Sequence, residues 1–219
     1  MITDQAFRDA VLRFEADESQ GSFYDIAVNL LNRNFKTEAY LLLLATWNFA
    51  SFRYAVTNFD LVAFDATVKS LEVNFQRLDG KDIRTADFDS LRENISAIYS
   101  VLSQIKGIKY TGASKIMHLR NRELFVMWDG YIRGQKSRKD YQKLDIVKRG
   151  DWNIKKYGDS ADNYLEFLED MQNRFADVSF TENKKTFAKA IDEFNYVSIT
   201  LPMQRMEKAT SRGSVEAIA

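Results

Sequence analysis

The chain of 219 residues is long enough for one large domain or for two small lobes that share a core. Its 45% hydrophobic and 28% charged residues are typical of a folded globular protein. It contains no Cys and a single His, which excludes disulfides, iron–sulfur clusters and zinc sites built on thiolates or on several histidines. We therefore expect neither a metal nor a cofactor.

No apolar run approaches membrane-spanning length. The longest, residues 41–45, covers about a quarter of the roughly 20 residues that a bilayer requires. Residues 1–5 lack the basic-then-apolar pattern of a secretory signal. The sequence therefore predicts a cytoplasmic protein with no membrane partner.

The net charge is +0, but the charged residues are unevenly distributed. Residues 104–157 carry 14 basic and 5 acidic side chains, a net charge of +9, whereas residues 1–103 carry −5 and residues 158–219 carry −4. A basic region between acidic flanks is typical of a phosphate-binding face. The alternative is a basic surface that contacts only solvent.

Helical periodicity dominates the chain, and alternating strand patterns are scarce. The pattern predicts an all-α fold, with residues 1–210 as a single helical domain and residues 211–219 as a flexible tail. Helices are predicted, in chain order, over 6–14, 26–31, 38–50, 60–78, 88–102, 164–175 and 187–196.

Three features along these helices make specific predictions. Residues 18–22 form a turn cluster that ends the first helix. Thr37 is the predicted N-cap of helix 38–50, whose apolar residues surround nearly the whole circumference, so we expect this helix to be central and buried. Thr85 or Asp87 would cap helix 88–102.

A glycine turn follows helix 88–102. Gly107 permits a tight turn at positive φ, and a second helix begins near residue 110. The N–H groups at the start of that helix, together with Lys106 and Lys109, would bind a phosphate. The small residues 112–114 would let the helix pack close to a neighbour. Taken alone, the pattern suits a plain helical hairpin in a core equally well.

A single acid, Asp129, directly follows the five apolar residues 124–128. A carboxylate at the edge of an apolar wall is partly desolvated, which is typical of functional acids. The alternative is that Asp129 is only the N-cap of a helix beginning at Gly130.

Together these segments resemble the helix-hairpin-helix DNA glycosylase superfamily. Residues 107–113 are similar to the family's Leu-Pro-Gly-Val-Gly hairpin. Asp129 lies 18 positions after Thr111, the spacing at which the family's catalytic Asp follows its hairpin lysine position. Helix 38–50 resembles the family's early core helix, which ends beside the base pocket. The resemblance is specific over 102–133, looser over 38–54 and absent elsewhere.

The sequence also departs from the family pattern. Lys106 replaces the hairpin proline, and Lys109 replaces its second glycine. Thr111 stands where members that also cleave the DNA strand carry a lysine that forms a Schiff base. The resemblance therefore implies a cluster-free, monofunctional glycosylase. Lys115, one turn further on the same helical face, is the alternative lysine for strand cleavage.

The resemblance implies a monomer with a helix-hairpin-helix glycosylase-like helical fold, either as one body or as two helical lobes around a cleft. Such a protein binds double-stranded DNA and flips a base into a pocket. Asp129 would stabilise the cationic sugar and orient or deprotonate water. The DNA backbone would be bound by Lys106, Gly107, Lys109, Thr111 and Lys115. The base pocket would be formed by Trp47, Asn48, Phe52, Trp128 and Tyr131.

Two further expectations concern residues around this site. The basic run would extend the grip on DNA through Arg133, Lys136, Arg138, Lys139, Lys143, Lys148, Arg149, Lys155 and Lys156. His118 is expected to be structural or a minor phosphate contact.

Other functions share many of these features. A non-catalytic helix-hairpin-helix DNA-binding protein would have everything except the chemistry of Asp129. A helical protein-interaction domain would have the basic surface alone. The glycosylase interpretation leaves open which base is excised. It also leaves open whether the protein acts in DNA repair or in defence against phage DNA with modified bases.

Overall fold

The computed structural model describes residues 2–17, 21–53, 56–181 and 185–216, with the backbone alone at residues 21, 50 and 211–216. All regular structure in these ranges is helical, which confirms the all-α class. None of the described helices is long and apolar enough to cross a membrane.

The described residues of the first half form six helices, which are α1 (Asp4–Asp17), α2 (Gly21–Asn32), α3 (Lys36–Trp47), α4 (Phe49–Phe52), α5 (Leu61–Ser70) and α6 (Glu72–Gln76), with a 3-10 turn at Val56–Asn58. The second half holds α7 (Phe88–Gln104), α8 (Lys109–Arg120), α9 (Arg138–Tyr141), α10 (Asp145–Lys148), α11 (Ala161–Arg174), α12 (Phe187–Asn195), a π-helical turn (Tyr196–Thr200) and α13 (Leu201–Glu216).

The helix α8 lies at the centre of the core. Its side chains from Gly112 to Leu119 are all buried, and it packs against α7, α3 and α2. The prediction that helix 38–50 is the buried central helix is wrong, because α3 exposes Glu38 and Ala45 to solvent, whereas α8 is buried along most of its length. It also ends at Trp47, before a separate short helix.

Local signals placed some helix ends and missed others. Asp87 caps α7 as predicted, since its side chain accepts from the Ser90 N–H. The prediction that Thr37 caps α3 is wrong, because α3 begins at Lys36 and the Thr37 hydroxyl donates to Asp65 at 2.6 Å instead. The predicted helix 60–78 divides at the buried Leu71 into α5 and α6.

The C-terminal helices cover another side of the core, where α1 packs against α12. The chain leaves α12 through the π-helical turn just before Pro202, the only proline. Proline has no N–H to donate to the preceding turn, which accounts for the change in helix geometry at this point. The helix α13 continues to Glu216, so residues 211–216 of the predicted tail have a helical backbone, while 217–219 lie outside the described residues.

Candidate active site

A cavity of about 470 Å³ opens where the end of α3, the start of α8 and residues 127–132 face the C-terminal helices. Seven residues predicted as functional from the sequence line it, namely Trp47, Asn48, Thr111, Lys115, Trp128, Asp129 and Tyr131. Residues that lie far apart in the sequence therefore line the same cavity.

Asp129 is half-buried in the cavity wall and accepts three hydrogen bonds. Its Oδ1 accepts from the N–H groups of Tyr131 at 2.8 Å and Ile132 at 2.9 Å, and its Oδ2 accepts from the Thr200 hydroxyl at 2.7 Å. The helix expected at Gly130 is wrong, because residues 130–134 form a turn. Asp129 caps that turn through Oδ1, and Thr200 joins it to the C-terminal helices.

The glycine turn of the hairpin has the predicted left-handed backbone. Gly107 has a φ of 88°, and Lys109, the first residue of α8, has a φ of 51°. A residue with a Cβ in this region is strained by about 1 kcal/mol or more. The two left-handed residues occupy the two glycine positions of the hairpin motif that the sequence resembles.

Asn48 fixes this turn to the end of α3. It is buried, and its Nδ2 donates to the carbonyls of Gly107 at 3.2 Å and Ile108 at 3.4 Å. A Cβ at Gly112 would lie 2.8 Å from Ile108, 3.0 Å from the Asn48 amide and 3.0 Å from Leu44. The small residue is therefore what lets α8 approach α3 so closely, as the sequence predicted.

The segment leading to Asp129 is bound to α8 by hydrogen bonds. Ser114 Oγ accepts from the Trp128 N–H at 3.3 Å, and the Trp128 indole donates to the Tyr110 carbonyl at 3.2 Å.

His118 is fully buried between the Tyr24 hydroxyl at 2.8 Å and the Phe125 carbonyl at 2.6 Å. Burial lowers the pKa of His118 to about 3, which makes it a neutral structural residue and not a phosphate contact.

Lys115 lines the cavity and does not lie on the protein surface. Its ammonium is buried and donates to the Trp47 carbonyl. Burial lowers the pKa of Lys115, while the carboxylates of Asp129 and Asp192 act in the opposite direction. The prediction of a contact with the DNA backbone is therefore wrong for this residue, because hydrophobic packing around α8 encloses its side chain.

The helix α12 contributes charges that the sequence analysis missed. Asp192 lines the cavity, and its Oδ2 accepts from Lys189 Nζ at 3.2 Å. Lys189 also pairs with Glu193 at 3.2 Å, Glu193 pairs with Lys185 at 2.7 Å, and Lys185 reaches Glu15 at 2.8 Å. These residues form a chain of alternating charge, which we call the buried charge chain. Spacings of three and four residues on a helix are equally typical of a solvated face, so the sequence alone carries no signal of burial.

Burial raises the pKa of Asp192 to about 6, against the opposing effects of Lys189 and Lys115. The Lys189 ammonium lies over three aromatic rings, 4.6 Å from the centroid of Phe14, 4.9 Å from that of Tyr24 and 4.7 Å from that of Trp47. The acid in the cavity wall is therefore paired with a buried cation that lies among aromatic rings behind it.

Some predicted site residues lie outside the cavity. Phe52 is wrong as a pocket residue, because it is buried with its ring 5.2 Å from that of Phe59. Trp128 lines the cavity, but its ring packs in the core against Tyr164 at 4.9 Å, so little of it is open to a ligand. Lys106 and Lys109 are exposed in the hairpin turn, beside the cavity lining.

The basic run is less uniform than expected. Arg133 is wrong as a surface contact, because it is buried with its guanidinium 3.8 Å from the centroid of Tyr110 and paired with Asp159. Lys136, Lys143, Lys148, Arg149 and Lys155 all form ion pairs with nearby carboxylates. Within residues 104–157, the exposed cations that pair with no described carboxylate are Lys106, Lys109, Arg138, Lys139 and Lys156.

Comparison of the chain with family models, with curated proteins and with solved structures finds no match. Within the described ranges, no cluster of three His or carboxylate side chains is arranged to hold a metal ion. The function is therefore inferred from the geometry of the cavity.

Proposed function

We propose that the protein is a helix-hairpin-helix DNA glycosylase that flips a base out of double-stranded DNA and hydrolyses its N-glycosidic bond. The observation that carries this proposal is that the cavity places Asp129 beside the N-terminal end of the hairpin helix α8. The left-handed backbone at both Gly107 and Lys109 supports the resemblance of the hairpin to the family motif.

The proposed mechanism uses Asp129 at the sugar. As the bond between the sugar and the base breaks, positive charge develops on the sugar, and the carboxylate stabilises it. The same carboxylate orients the attacking water and accepts its proton. The hydrogen bonds from Tyr131, Ile132 and Thr200 hold the carboxylate in one orientation.

DNA would be bound by the hairpin and by the exposed cations around it. Lys106 and Lys109 flank the N-terminus of α8, where free N–H groups favour a phosphate. Such contacts position the duplex without distinguishing its sequence. Asn48 holds the turn in place and serves as a positioning residue instead of contacting the base through its amide N–H groups.

The experiment is base release from duplexes that carry a panel of damaged and phage-type modified bases, followed by alkali to cleave abasic sites. We expect alkali-dependent breaks with the wild type and a loss of about 10²–10⁴-fold or more for Asp129→Asn. The matched control is Asp145→Asn, whose exposed carboxylate pairs with Lys148 at 3.4 Å and with no other described cation, and which should keep full activity.

The second candidate is a non-catalytic DNA-binding protein, and the two backbone hydrogen bonds to Asp129 Oδ1 favour it, because they suit a purely structural cap. Salt-sensitive binding of DNA without base release on any substrate would support this function. Breaks that appear without alkali, together with borohydride trapping that Lys115→Ala abolishes, would contradict the monofunctional assignment.

A further inference from the structure

The cavity contains a second carboxylate that the hydrolysis step above leaves unused. Asp129 belongs to the turn after α8, whereas Asp192 belongs to α12, and both line the same space. Their surroundings differ. Asp129 accepts from two N–H groups and a hydroxyl, but Asp192 accepts from Lys189 alone among the described residues.

We propose that Asp192 is a second catalytic residue, which donates a proton to the departing base, and that the substrates are neutral bases that need this proton to leave. The proposal rests on the proposed glycosylase function. It assigns the two acids of the cavity to opposite ends of the bond that breaks, with Asp129 at the sugar and Asp192 at the base.

Atoms and electrons balance in this step. The bond between C1′ and the base nitrogen breaks, and its electron pair stays with the base. A ring nitrogen or carbonyl oxygen of the base takes the proton from Asp192, so the base leaves as a neutral molecule. Water adds to C1′, and its proton passes to Asp129. One water molecule is consumed, and the two acids exchange one proton with solvent before the next cycle.

The charged and titratable groups that face Asp192 support this role. Lys189 and Glu193 lie on its own helix, and Lys115 of α8 acts on it electrostatically. The charge of Asp192 also raises the pKa of Tyr24 and of Tyr164. Burial outweighs the two lysines, so a substantial fraction of Asp192 is protonated near pH 6. Once the proton has left, Lys189 at 3.2 Å stabilises the carboxylate that remains.

The proposal separates two classes of base. A neutral base is a poor leaving group until it is protonated, so its release depends on an acid. A purine alkylated at N7 or N3 already carries a positive charge and leaves without a donated proton. Removing Asp192 should therefore slow the first class and spare the second.

The test is single-turnover base release between pH 5 and pH 8 from duplexes containing uracil, hypoxanthine, 8-oxoguanine, 5-hydroxymethylcytosine or the cationic 7-methylguanine. Asp192→Asn should slow release of the neutral bases about 10²–10⁴-fold. It should leave any release of 7-methylguanine within about threefold of the wild type, since that base needs no acid. The wild-type rate should fall about tenfold per pH unit above pH 6, and the variant should lose this dependence.

Binding to a duplex with a pyrrolidine in place of the sugar separates this role from a structural one. The cationic ring mimics the charged sugar, so Asp129→Asn should weaken its binding, whereas Asp192→Asn should not. If Asp192→Asn folds poorly, the pH profile of the wild type decides alone, and a rate independent of pH between 6 and 8 overturns the proposal.

Other results overturn the inference separately from the proposed function. Equal loss of neutral and cationic bases in Asp192→Asn would show a structural role only. Release of 7-methylguanine alone by the wild type would contradict the substrate class. In both cases the loss of activity in Asp129→Asn would still support the glycosylase function. No release of any base by the wild type overturns the proposed function, and this inference with it.

Discussion

The two walls of the cavity are built in different ways. The hairpin wall, residues 102–133, joins the helix α8 to turns whose backbone geometry depends on nearby residues such as Gly107. The C-terminal wall, α12 and the π-helical turn, carries charges that are buried because α1 packs against α12 and because rings from α1, α2 and α3 surround Lys189. One half of a site can therefore be recognised from a sequence motif, while the other half depends on tertiary packing.

The largest expected effect breaks the C-terminal wall. Lys189→Met should lower the free energy of unfolding by about 3 kcal/mol, because it leaves Asp192 and Glu193 buried without their shared cation. Chemical denaturation measures this, with Lys139→Met, an exposed lysine, as the matched control. A change in Lys189→Met no larger than in the control would show that the buried charge chain adds nothing to stability.

The hairpin wall should be sensitive to size instead of charge. Gly112→Ala should lower the free energy of unfolding by about 1–3 kcal/mol, because its Cβ would lie 2.8 Å from Ile108 and 3.0 Å from Asn48. Gly130→Ala is the control, since a Cβ there meets nothing within 4 Å. Equal melting temperatures for the two variants would contradict the close approach of α8 to α3.

The hydrogen bond from Thr200 to Asp129, which joins the two walls, gives a sharper comparison. Thr200→Val keeps the side-chain shape but removes the hydroxyl that donates to Asp129 at 2.7 Å. We expect base release to slow about tenfold, since hydrogen bonds to charged groups contribute about 1.5–3 kcal/mol. In an Asp129→Asn background the same substitution should have no further effect. Additive losses would mean that Thr200 acts independently of the acid.

The smallest effect concerns the strained residue of the hairpin. Lys109→Gly should raise the free energy of unfolding by up to about 1 kcal/mol, because glycine adopts the φ of 51° without strain. It should also weaken DNA binding and reduce its salt dependence by the contribution of one cation. Lys106→Ala removes a charge without relieving strain, so it should change DNA binding alone. A stability gain in both variants would contradict this reason.

Local signals account for what the sequence predicted well. The amphipathic face of α7, its cap at Asp87 and the positive φ at Gly107 depend on residues within a few positions of one another. Asn48 was also identifiable, because an amide at the end of an apolar helix needs a partner. The short spacing between the hairpin and Asp129 likewise predicts that the acid lies beside the hairpin helix, and both line the cavity.

Burial of charged residues was not predictable in the same way. Lys115 and Arg133 have the sequence surroundings of surface cations, and only the packing of distant helices encloses them. Thr200 lies 71 positions from the acid that it contacts, and a π-helical turn sets its orientation. Helical periodicity carries no information about which distant segment will cover a given face.

The buried charge chain has a consequence for how this protein can vary. The buried carboxylates Asp192 and Glu193 share the buried Lys189, so changing that lysine leaves carboxylates enclosed without their shared cation. Changing a lysine and its carboxylate together to apolar residues of similar volume avoids that penalty. We therefore expect these positions to be inherited as a set, so that a chain lacking Lys189 also lacks the acids around it.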